Sequence, residues 1–531
     1  NYKMTSRAIE CGLNKLGFKS IRENQRKVIE AYLAGRDVLM IAPTGSGKSL
    51  TFQISPYVID NFKHGDQQDV RTVCLVIAPL VSLMKDQVSF LRKKQINAVM
   101  IGPEFTDEEN TEAKAGKYNI IFSSPEAIFG SHRSIILALK NQIEAVFVDE
   151  GHCIVKWGYG TGVENAFRKD YSRIAELRSI LKRNIPFIVL TATATQSTKD
   201  FIINELVMRD CVQLITIPDK QNVRFSVSCI DINTLSVAFG WLIDELRTKK
   251  TNAEKVLVFC RKKSHTKDLY ETFHEVLGTH SYVLPNGDEP MDDRTRLFAM
   301  YHKKTHHSIK DVVQKEFCKV DGTVRVVFCT IAFGMGVDVK GAFMVVHLGP
   351  SSTIDSYIQE CGRVGRTNER MSHAILLKYS GCTRSKNIEK AMKNYVNNTD
   401  LCRRYLLMKP FLANGTILND NELPPIAGHM CCDVCAKKCM CLCSCAGKCE
   451  CNMACNSELF HSPLEASSIM SDKATMNDKM QSCFDDTTNS LRHTMFNDEI
   501  VTYANDIPEE QLLTGVAIAT GFSKVLIGQI V

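Results

Sequence analysis

A short glycine-containing segment follows an apolar run near the start of the chain. The apolar run spans residues 37–41, and Ala-Pro-Thr-Gly-Ser-Gly-Lys-Ser follows at residues 42–49. Glycine permits a tight turn that aims backbone N–H groups at phosphate oxygens where the next helix begins. Lys48 is placed to neutralise β and γ phosphates, and the Ser49 hydroxyl to hold Mg²⁺. The segment predicts an ATP site that also includes Pro43, Thr44, Gly45, Ser46 and Gly47.

Two adjacent carboxylates supply the second half of this predicted site. The apolar run at residues 145–148 ends in Asp149-Glu150, and His152 follows. A carboxylate at a strand end suits a Mg²⁺ contact through water, which we assign to Asp149. Glu150 is placed to orient and deprotonate the attacking water. Together with the glycine-containing segment, the pair predicts a nucleoside triphosphatase.

Both segments lie at the ends of apolar runs that alternate with longer amphipathic stretches. Such alternation is typical of a doubly wound parallel sheet, whose ligands bind at the carboxyl ends of the strands. The first set of runs lies at residues 37–41, 73–78, 119–122, 145–148 and 187–190. After a polar segment at residues 218–224, a second set at 255–259, 324–329 and 343–348 predicts a second domain of the same class.

The composition indicates a modular protein. Its 531 residues are 44% hydrophobic, enough for about three or four domains. The net charge of +6 is mild, so nucleic-acid binding requires basic residues concentrated in a groove. The chain has neither an apolar run of about 18 residues nor a signal peptide, which predicts a soluble intracellular protein. It begins with Asn1 and ends inside an apolar pattern at residues 521–531, so we expect a longer parent chain.

Several further segments resemble the RecQ branch of superfamily 2 helicases, over residues 13–435. Residues 17–25, Gly-Phe-Lys-Ser-Ile-Arg-Glu-Asn-Gln, are similar to the adenine-reading motif of that family. The resemblance implies that Phe18 stacks on the base, Arg22 supports it and Gln25 pairs with the adenine edge. The residues before Gln25 are Glu-Asn, where the family has Pro-Gly.

The resemblance also implies a path for a single strand of nucleic acid. Residues 78–88 and 124–126 resemble strand-contacting motifs, and residues 191–195 resemble motif III, whose hydroxyls link the hydrolytic site to bound nucleic acid. Residues 153–158, which include Trp157, are similar to the aromatic-rich loop that senses DNA, although the stretch at residues 159–166 is longer and richer in Gly than in the family. The implied nucleic-acid contacts are Ser82, Ser124, Trp157, Phe167, Arg168 and Thr191.

Motifs of the second lobe complete the resemblance. Residues 332–338 resemble motif V, and residues 357–366 resemble motif VI. Two Arg residues at the spacing of Arg363 and Arg366 can reach across a cleft to the γ-phosphate as arginine fingers. We favour Arg366 for that contact, with Arg363 beside it, and the resemblance assigns Gln359 to orienting the nucleotide or water.

The cysteines are crowded into one region. Ten of the 22 lie at residues 431–455, which in an intracellular protein favours metal over disulfides. Cys402, Cys431, Cys432 and Cys435 are similar to the RecQ zinc subdomain, and four thiolates form a closed structural Zn²⁺ site; His429 is the alternative ligand. The cysteines from Cys439 to Cys455 either bind further metal or form a reactive tail.

The expected architecture is α/β, with two RecA-like parallel-sheet lobes followed by a small helical zinc-binding subdomain. The expected domains are a first lobe at 1–214, a second at 215–380, the zinc subdomain at 381–437, a Cys-rich extension at 438–455, and a linker with the candidate start of a further domain at 456–531. No winged-helix pattern is evident downstream.

The resemblance implies a 3′ to 5′ DNA helicase that uses ATP, Mg²⁺ and Zn²⁺, acts in DNA repair or recombination, and resides in the nucleus. Gly151 stands where the family has Ala in Asp-Glu-Ala-His. That departure and the longer aromatic loop leave open an impaired RecQ-like protein that binds DNA without unwinding it. An RNA-directed helicase of the same superfamily is a further alternative, because single-strand contacts to phosphate scarcely tell RNA from DNA without contacts to the 2′-OH.

Overall fold

The computed structural model describes residues 2–43, 45–65, 72–102, 104–159, 168–283, 295–333, 339, 341–365, 371–411 and 428–438. Within them, the strands form two parallel sheets. The first sheet has seven strands in the order β3-β4-β2-β5-β6-β1-β7, and the second has six in the order β10-β11-β9-β12-β13-β8. The strands are β1 Val38–Ile41, β2 Val73–Ile77, β3 Ala98–Ile101, β4 Ile120–Ser123, β5 Ile143–Asp149, β6 Phe187–Thr191, β7 Val212–Ile215, β8 Val223–Cys229, β9 Lys255–Cys260, β10 Phe298–Tyr301, β11 Val326–Cys329, β12 Ala342–Leu348 and β13 Ser372–Lys378.

Helices cover both faces of each sheet. They are α1 Tyr2–Leu16, α2 Glu23–Leu33, α3 Leu50–Gln53, α4 Ser55–His64, α5 Val81–Lys93, α6 Asp107–Lys114, α7 Pro125–Phe129, α8 Arg133–Leu139, α9 Leu177–Ile180, α10 Gln196–Glu205, α11 Leu235–Ala238, α12 Gly240–Lys249, α13 Lys263–Leu277, α14 His307–Cys318, α15 Ile354–Cys361, α16 Lys390–Asn397, α17 Arg403–Met408, α18 Gly428–Cys431 and α19 Asp433–Lys438. The expectation of two RecA-like lobes is confirmed. Among the described residues, none of these helices is long and apolar enough to cross a membrane.

The apolar runs of the sequence coincide with strands of the structure. Their residues are apolar on both faces because helices cover both sides of the sheet. All residues of β1, β2 and β6 are buried, as expected for central parallel strands covered by helices on both sides. Two apolar clusters pack on the two faces of the first sheet, and two more on the faces of the second. The strand β7 pairs with β1 up to Ile215, one residue into the range expected for the second lobe.

Strand order brings three predicted segments to one edge. The strand β6 lies between β1 and β5, and all three are parallel. Their carboxyl ends are therefore adjacent, so the segment at 42–49, the carboxylate pair after β5 and the Thr-rich segment after β6 meet there. This is the edge at which ligands of open α/β sheets bind.

The helices after residue 390 do not form a separate core. Leu407, Met408, Cys431 and Cys432 belong to the same apolar cluster as residues of β8 and β13. Phe225 of β8 also makes a parallel bridge with Cys432. The cysteine-containing helices are therefore built onto one face of the second sheet.

Candidate active site between the lobes

The segment at 42–49 forms a turn whose glycines adopt left-handed backbone angles. The φ angles of Gly45 and Gly47 are 85° and 79°. A Cβ atom on Gly47 would lie 2.5 Å from Nε2 of Gln25, so a side chain at this position would displace the Gln25 amide. The Lys48 ammonium donates hydrogen bonds to the carbonyls of Ala42, at 2.7 Å, and Pro43, at 3.3 Å. Burial lowers the pKa of Lys48, whereas the Glu150 and Asp149 charges oppose that shift.

The predicted adenine-reading residues are tied to this turn. The Gln25 amide donates to the carbonyl of Gly47 at 2.8 Å, and its oxygen accepts from the backbone N–H of Arg22 at 2.8 Å. The Arg22 guanidinium donates to the carbonyl of Gly45 at 3.1 Å. Phe18 is 43% exposed. Asn24, one of the two residues that replace the family's Pro-Gly, donates to the Thr216 hydroxyl at 3.2 Å and so links α2 to the segment after β7.

The carboxylate pair lies at the end of β5. Glu150 has a φ angle of 51°, a strained conformation for a residue with a side chain. Burial and the charge of Glu150 raise the pKa of Asp149 to about 7, against the charge of Lys48. Burial alone would raise the pKa of Glu150, but contact with His152 and the charges of His152, Lys48 and Arg363 lower it to about 2. Glu150 is thus held ionised. Its Oε2 atom is buried without an aligned hydrogen-bond donor in the described part of the chain.

His152 lies between Glu150 and Thr191 and contacts both. The His152 Nδ1 atom lies 3.3 Å from Glu150 Oε2 and 3.1 Å from the Thr191 hydroxyl oxygen. Because the Thr191 hydroxyl donates to the carbonyl of Thr193 at 3.0 Å, its oxygen accepts from His152. His152 therefore carries its proton on Nδ1. Thr191 is fully buried, so its predicted contact with nucleic acid stays a prediction.

Gly151 fits its surroundings. A Cβ atom at this position would lie 2.2 Å from Cγ1 of Val189 on β6, and the Gly151 N–H donates to the carbonyl of Leu190 at 2.9 Å. The Val189 side chain thus occupies the space that an alanine methyl group would need. The departure from the family's Asp-Glu-Ala-His is accommodated by its neighbour on the adjacent strand.

The second lobe contributes Arg363 and Gln359. Arg363 follows α15 and is 6% exposed. Burial lowers the pKa of Arg363, while the carboxylates of Glu150 and Glu360 raise it. Gln359 lines a cavity between the lobes together with Pro43, Ala192, Thr193, Pro218, Lys220, Val223, Phe225, Ile358, Cys361 and Gly362. Thr44 and Arg366 lie outside the described residues, so the preference for Arg366 on the γ-phosphate stays a prediction.

The predicted nucleic-acid residues occupy different environments. Ser82 is exposed in the first turn of α5. Ser124 caps α7, where its side chain accepts from the N–H of Ala127 at 3.4 Å. Phe167 lies outside the described residues. The contacts of these residues with nucleic acid stay predictions.

Trp157 and Arg168 contact each other. Trp157 lies in a π-helix, Ile154–Tyr159, and its ring packs edge-on against Tyr171 at 5.7 Å between centroids. The Arg168 guanidinium lies 5.4 Å from the centre of the Trp157 ring. Arg168 also forms two 2.5 Å hydrogen bonds to Glu126 and one of 2.6 Å to the carbonyl of Pro79. It thereby joins the loop to both predicted strand-contacting segments.

Four cysteines form a candidate metal centre. The sulfur atoms of Cys402, Cys431, Cys432 and Cys435 all lie within 4.8 Å of one another, and those of Cys402 and Cys431 are 3.6 Å apart. Tetrahedral zinc with Zn–S bonds of about 2.3 Å requires sulfur atoms about 3.8 Å apart. The residues therefore fit a structural zinc ion. The His429 side chain and the cysteines from Cys439 to Cys455 lie outside the described residues.

Buried ion pairs that the sequence did not reveal hold this centre against the second lobe. The Arg403 guanidinium bonds both carboxylate oxygens of Asp433, which also accepts from the N–H of Val227 on β8 at 3.3 Å. Arg404, 1% exposed, pairs with Asp219 and donates to the carbonyl of Lys220 at 2.8 Å. The two adjacent arginines after Cys402 were the only sequence feature that could have indicated these ion pairs. Their partners lie 30 and 185 residues away in sequence, so the pairing itself could not be predicted.

Comparison with known proteins agrees with this arrangement. Residues 22–201 match the DEAD/DEAH box helicase family, and residues 238–368 match the helicase conserved C-terminal domain. Among solved structures, the DUF1998 helicase MrfA bound to DNA aligns with 70% of this chain and 51% of its own, at 17% identity and a TM-score of 0.53. The Dbp5 protein of S. cerevisiae bound to RNA and ADP BeF3 aligns with 76% of this chain and 96% of its own, at 15% identity and a TM-score of 0.51. The first lobe therefore matches one helicase domain and the second lobe matches the other.

Two curated relatives are named as ATP-dependent DNA helicases. The ATP-dependent DNA helicase Q-like 4B of Arabidopsis thaliana is 28% identical over 392 residues, which are 71% of this chain and 30% of that protein. The ATP-dependent DNA helicase RecQ of Haemophilus influenzae is 29% identical over 357 residues, 66% of this chain and 50% of that protein. The chain is similar to these and to other helicases of the RecQ type. It spans about a third to a half of the length of these relatives.

Proposed function

We propose that the chain is an ATP-dependent DNA helicase that moves 3′ to 5′ along single-stranded DNA and separates duplexes. The observation that carries this proposal is the geometry around Glu150. This carboxylate is ionised, has a buried oxygen without an aligned donor, and lies beside Lys48 of its own lobe and Arg363 of the other. Such a group can accept a proton from an attacking water while two cations neutralise the phosphate charge.

The chain's own residues divide the work of hydrolysis. Lys48 exchanges the carbonyls of Ala42 and Pro43 for phosphate oxygens, and Ser49 and Asp149 hold Mg²⁺, which shields the phosphate charges when bound. Glu150 takes the water proton on Oε2, and His152 keeps the carboxylate oriented. Arg366, with Arg363 beside it, stabilises the charge that develops on the transferred group.

Movement follows from the placement of these groups on two lobes. Because Lys48 and Glu150 belong to the first lobe and Arg363 to the second, bound ATP favours a closed cleft. Hydrolysis removes that preference, so the lobes separate and step along the strand. Arg168, which connects the aromatic loop to the two strand-contacting segments, is placed to report strand binding to the Glu150 site.

The zinc centre has a structural role in this proposal. Its four cysteines hold Zn²⁺ in a closed site with no open position for catalysis. By holding the ion, these cysteines would brace α17, α18 and α19 against β8. A nuclear location and a role in DNA repair or recombination are further parts of the proposal and rest on the RecQ resemblance.

Strand displacement tests the proposal. We expect the chain with ATP and Mg²⁺ to unwind a DNA duplex that carries a 3′ single-stranded tail and to leave a duplex with a 5′ tail intact. Lys48→Ala should bind the same tails without unwinding them. ATP turnover without strand separation would instead support the impaired, DNA-binding alternative. Preferential unwinding of a tailed RNA duplex would support the RNA-directed one.

A further inference from the structure

The connection between the lobes contains a lysine that reaches motif VI. Lys220 lies between β7 and β8, and its ammonium donates 2.8 Å hydrogen bonds to the carbonyls of both Gly362 and Val364. These are the residues on either side of Arg363. The last carbonyls of a helix lack N–H partners and carry partial negative charge, so a cation at the end of α15 is well placed.

The same connection packs closely against the turn that follows Arg363. Gly365 has a φ angle of 61°, and a Cβ atom there would lie 2.8 Å from Cγ2 of Val223 and 3.0 Å from the Asn222 side chain. The turn therefore depends on glycine for its approach to residues 222 and 223. Lys220 and Gly365 are two independent contacts that hold the Arg363 turn on the connection.

The backbone of Lys220 is held in turn by the zinc subdomain. Its carbonyl accepts from the Arg404 guanidinium at 2.8 Å and from the N–H of Val223 at 3.1 Å. Arg404 also bonds the Asp219 carboxylate and the carbonyl of Val223. The helix that carries Arg404 begins directly after the zinc ligand Cys402. A continuous set of contacts thus runs from the cysteine cluster through Arg404 and Lys220 to Arg363.

We propose that Lys220 is a positioning residue that fixes the backbone of Arg363, so that the guanidinium meets the Glu150 site when the cleft closes, with the zinc subdomain as its support. The inference rests on the proposed ATPase function. Lys220 acts through Arg363 and does not itself stabilise the transferred phosphate. Its loss should therefore lower kcat and change the KM for ATP little. Misplacement of a catalytic group by about 1 Å lowers rates by up to about 100-fold.

The test is a steady-state ATPase measurement on the full chain with single-stranded DNA. Lys220→Met should lower kcat about 10- to 100-fold with KM for ATP changed by less than about threefold. Lys220→Arg, which keeps donors for both carbonyls, should recover most of the rate. The matched control is Lys250→Met, because Lys250 also donates to a backbone carbonyl, that of His280 at 2.8 Å, outside the set of contacts around Arg363. It should behave as the unmodified chain.

A double-variant cycle separates positioning from direct contact with ATP. In an Arg363→Ala background, Lys220→Met should cause no further loss of kcat, because the residue it positions is gone. Multiplicative losses, a rise in KM alone, or a kcat within about twofold of the unmodified chain would each overturn the proposal. If Lys220→Met does not fold, Lys220→Gln should show a smaller loss of the same kind. Absence of hydrolysis by the unmodified chain would overturn the proposed function together with this inference, whereas normal hydrolysis by Lys220→Met would overturn only the inference.

Discussion

Arg363 of the second lobe and Glu150 of the first lie close enough across the cleft for each charge to shift the pKa of the other. An arginine supplied to a phosphoryl-transfer site typically contributes about 10³- to 10⁵-fold in kcat. We therefore expect Arg363→Ala to lower the ATPase kcat at least about 10³-fold while ATP still binds. The matched control is Arg247→Ala, which removes an exposed arginine on α12. A loss of less than about tenfold would show that Arg363 does not act as an arginine finger.

The pair Gly151 and Val189 gives a second prediction. Gly151 does not adopt a left-handed φ angle, so an alanine meets only the steric conflict with Val189. Gly151→Ala should cost about 1–3 kcal/mol of stability through overpacking and should lower kcat by displacing Glu150. Adding Val189→Ala to this variant should restore much of the lost stability and much of the lost kcat. Melting temperature and ATPase rate are the measurements, and full activity of Gly151→Ala alone would show that the close fit has no influence on the site.

Lys255 gives a pH-dependent prediction. It is fully buried in β9, where its ammonium donates to the carbonyl of Phe317 at 2.9 Å. Burial, and to a lesser extent the charge of Arg325, lower the pKa of Lys255 to about 8. Between that value and about 10.5 the folded state binds fewer protons than the unfolded state, so this group's contribution to stability rises with pH.

Lys255→Met removes that dependence. The free energy of unfolding of the unmodified chain, minus that of the variant, should increase as pH rises from about 8 to 10. The lost hydrogen bond adds an offset that does not depend on pH. Denaturant unfolding at pH 7, 8, 9 and 10 measures the difference, and a constant or falling value would contradict the assignment.

The cysteine cluster predicts one zinc ion whose loss destabilises the second lobe. Because Cys432 and Cys435 pack with β8, Cys402→Ser should remove one zinc per chain and lower the melting temperature by at least about 5 °C. Cys229→Ser, at an exposed cysteine of β8, is the matched control and should keep both values. Elemental analysis and thermal unfolding are the measurements. An unchanged zinc content in Cys402→Ser would show that the ion is held elsewhere.

The sequence predicted the reacting groups and the central strands, because short local patterns encode both. Lys48, Glu150 and the four cysteines stand in short segments whose residue types already imply their chemistry, and apolar runs such as those of β1 and β6 mark central strands. By contrast, the first two residues of β8 fell in the predicted polar segment at 218–224, because the burial of Arg224 depends on packing that the local sequence does not show.

Contacts between distant segments were not predictable in this way. Arg168 contacts Glu126 and Gly151 contacts Val189 across about 40 residues of sequence, and tertiary packing brings these residues together. Lys220 carries no motif signal at all, and only the approach of the connection to the end of α15 gives it a role. Single-sequence patterns identify the reacting groups, whereas three-dimensional packing identifies the residues that place them.

The most direct test of the account is the ATP hydrolysis rate of the purified chain with and without single-stranded DNA, measured beside Lys48→Ala. We predict that DNA stimulates hydrolysis by the unmodified chain and that Lys48→Ala binds DNA without hydrolysing ATP above background. A rate that is the same with and without DNA, or equal in Lys48→Ala, would contradict the assignment of a DNA-coupled motor to this cleft.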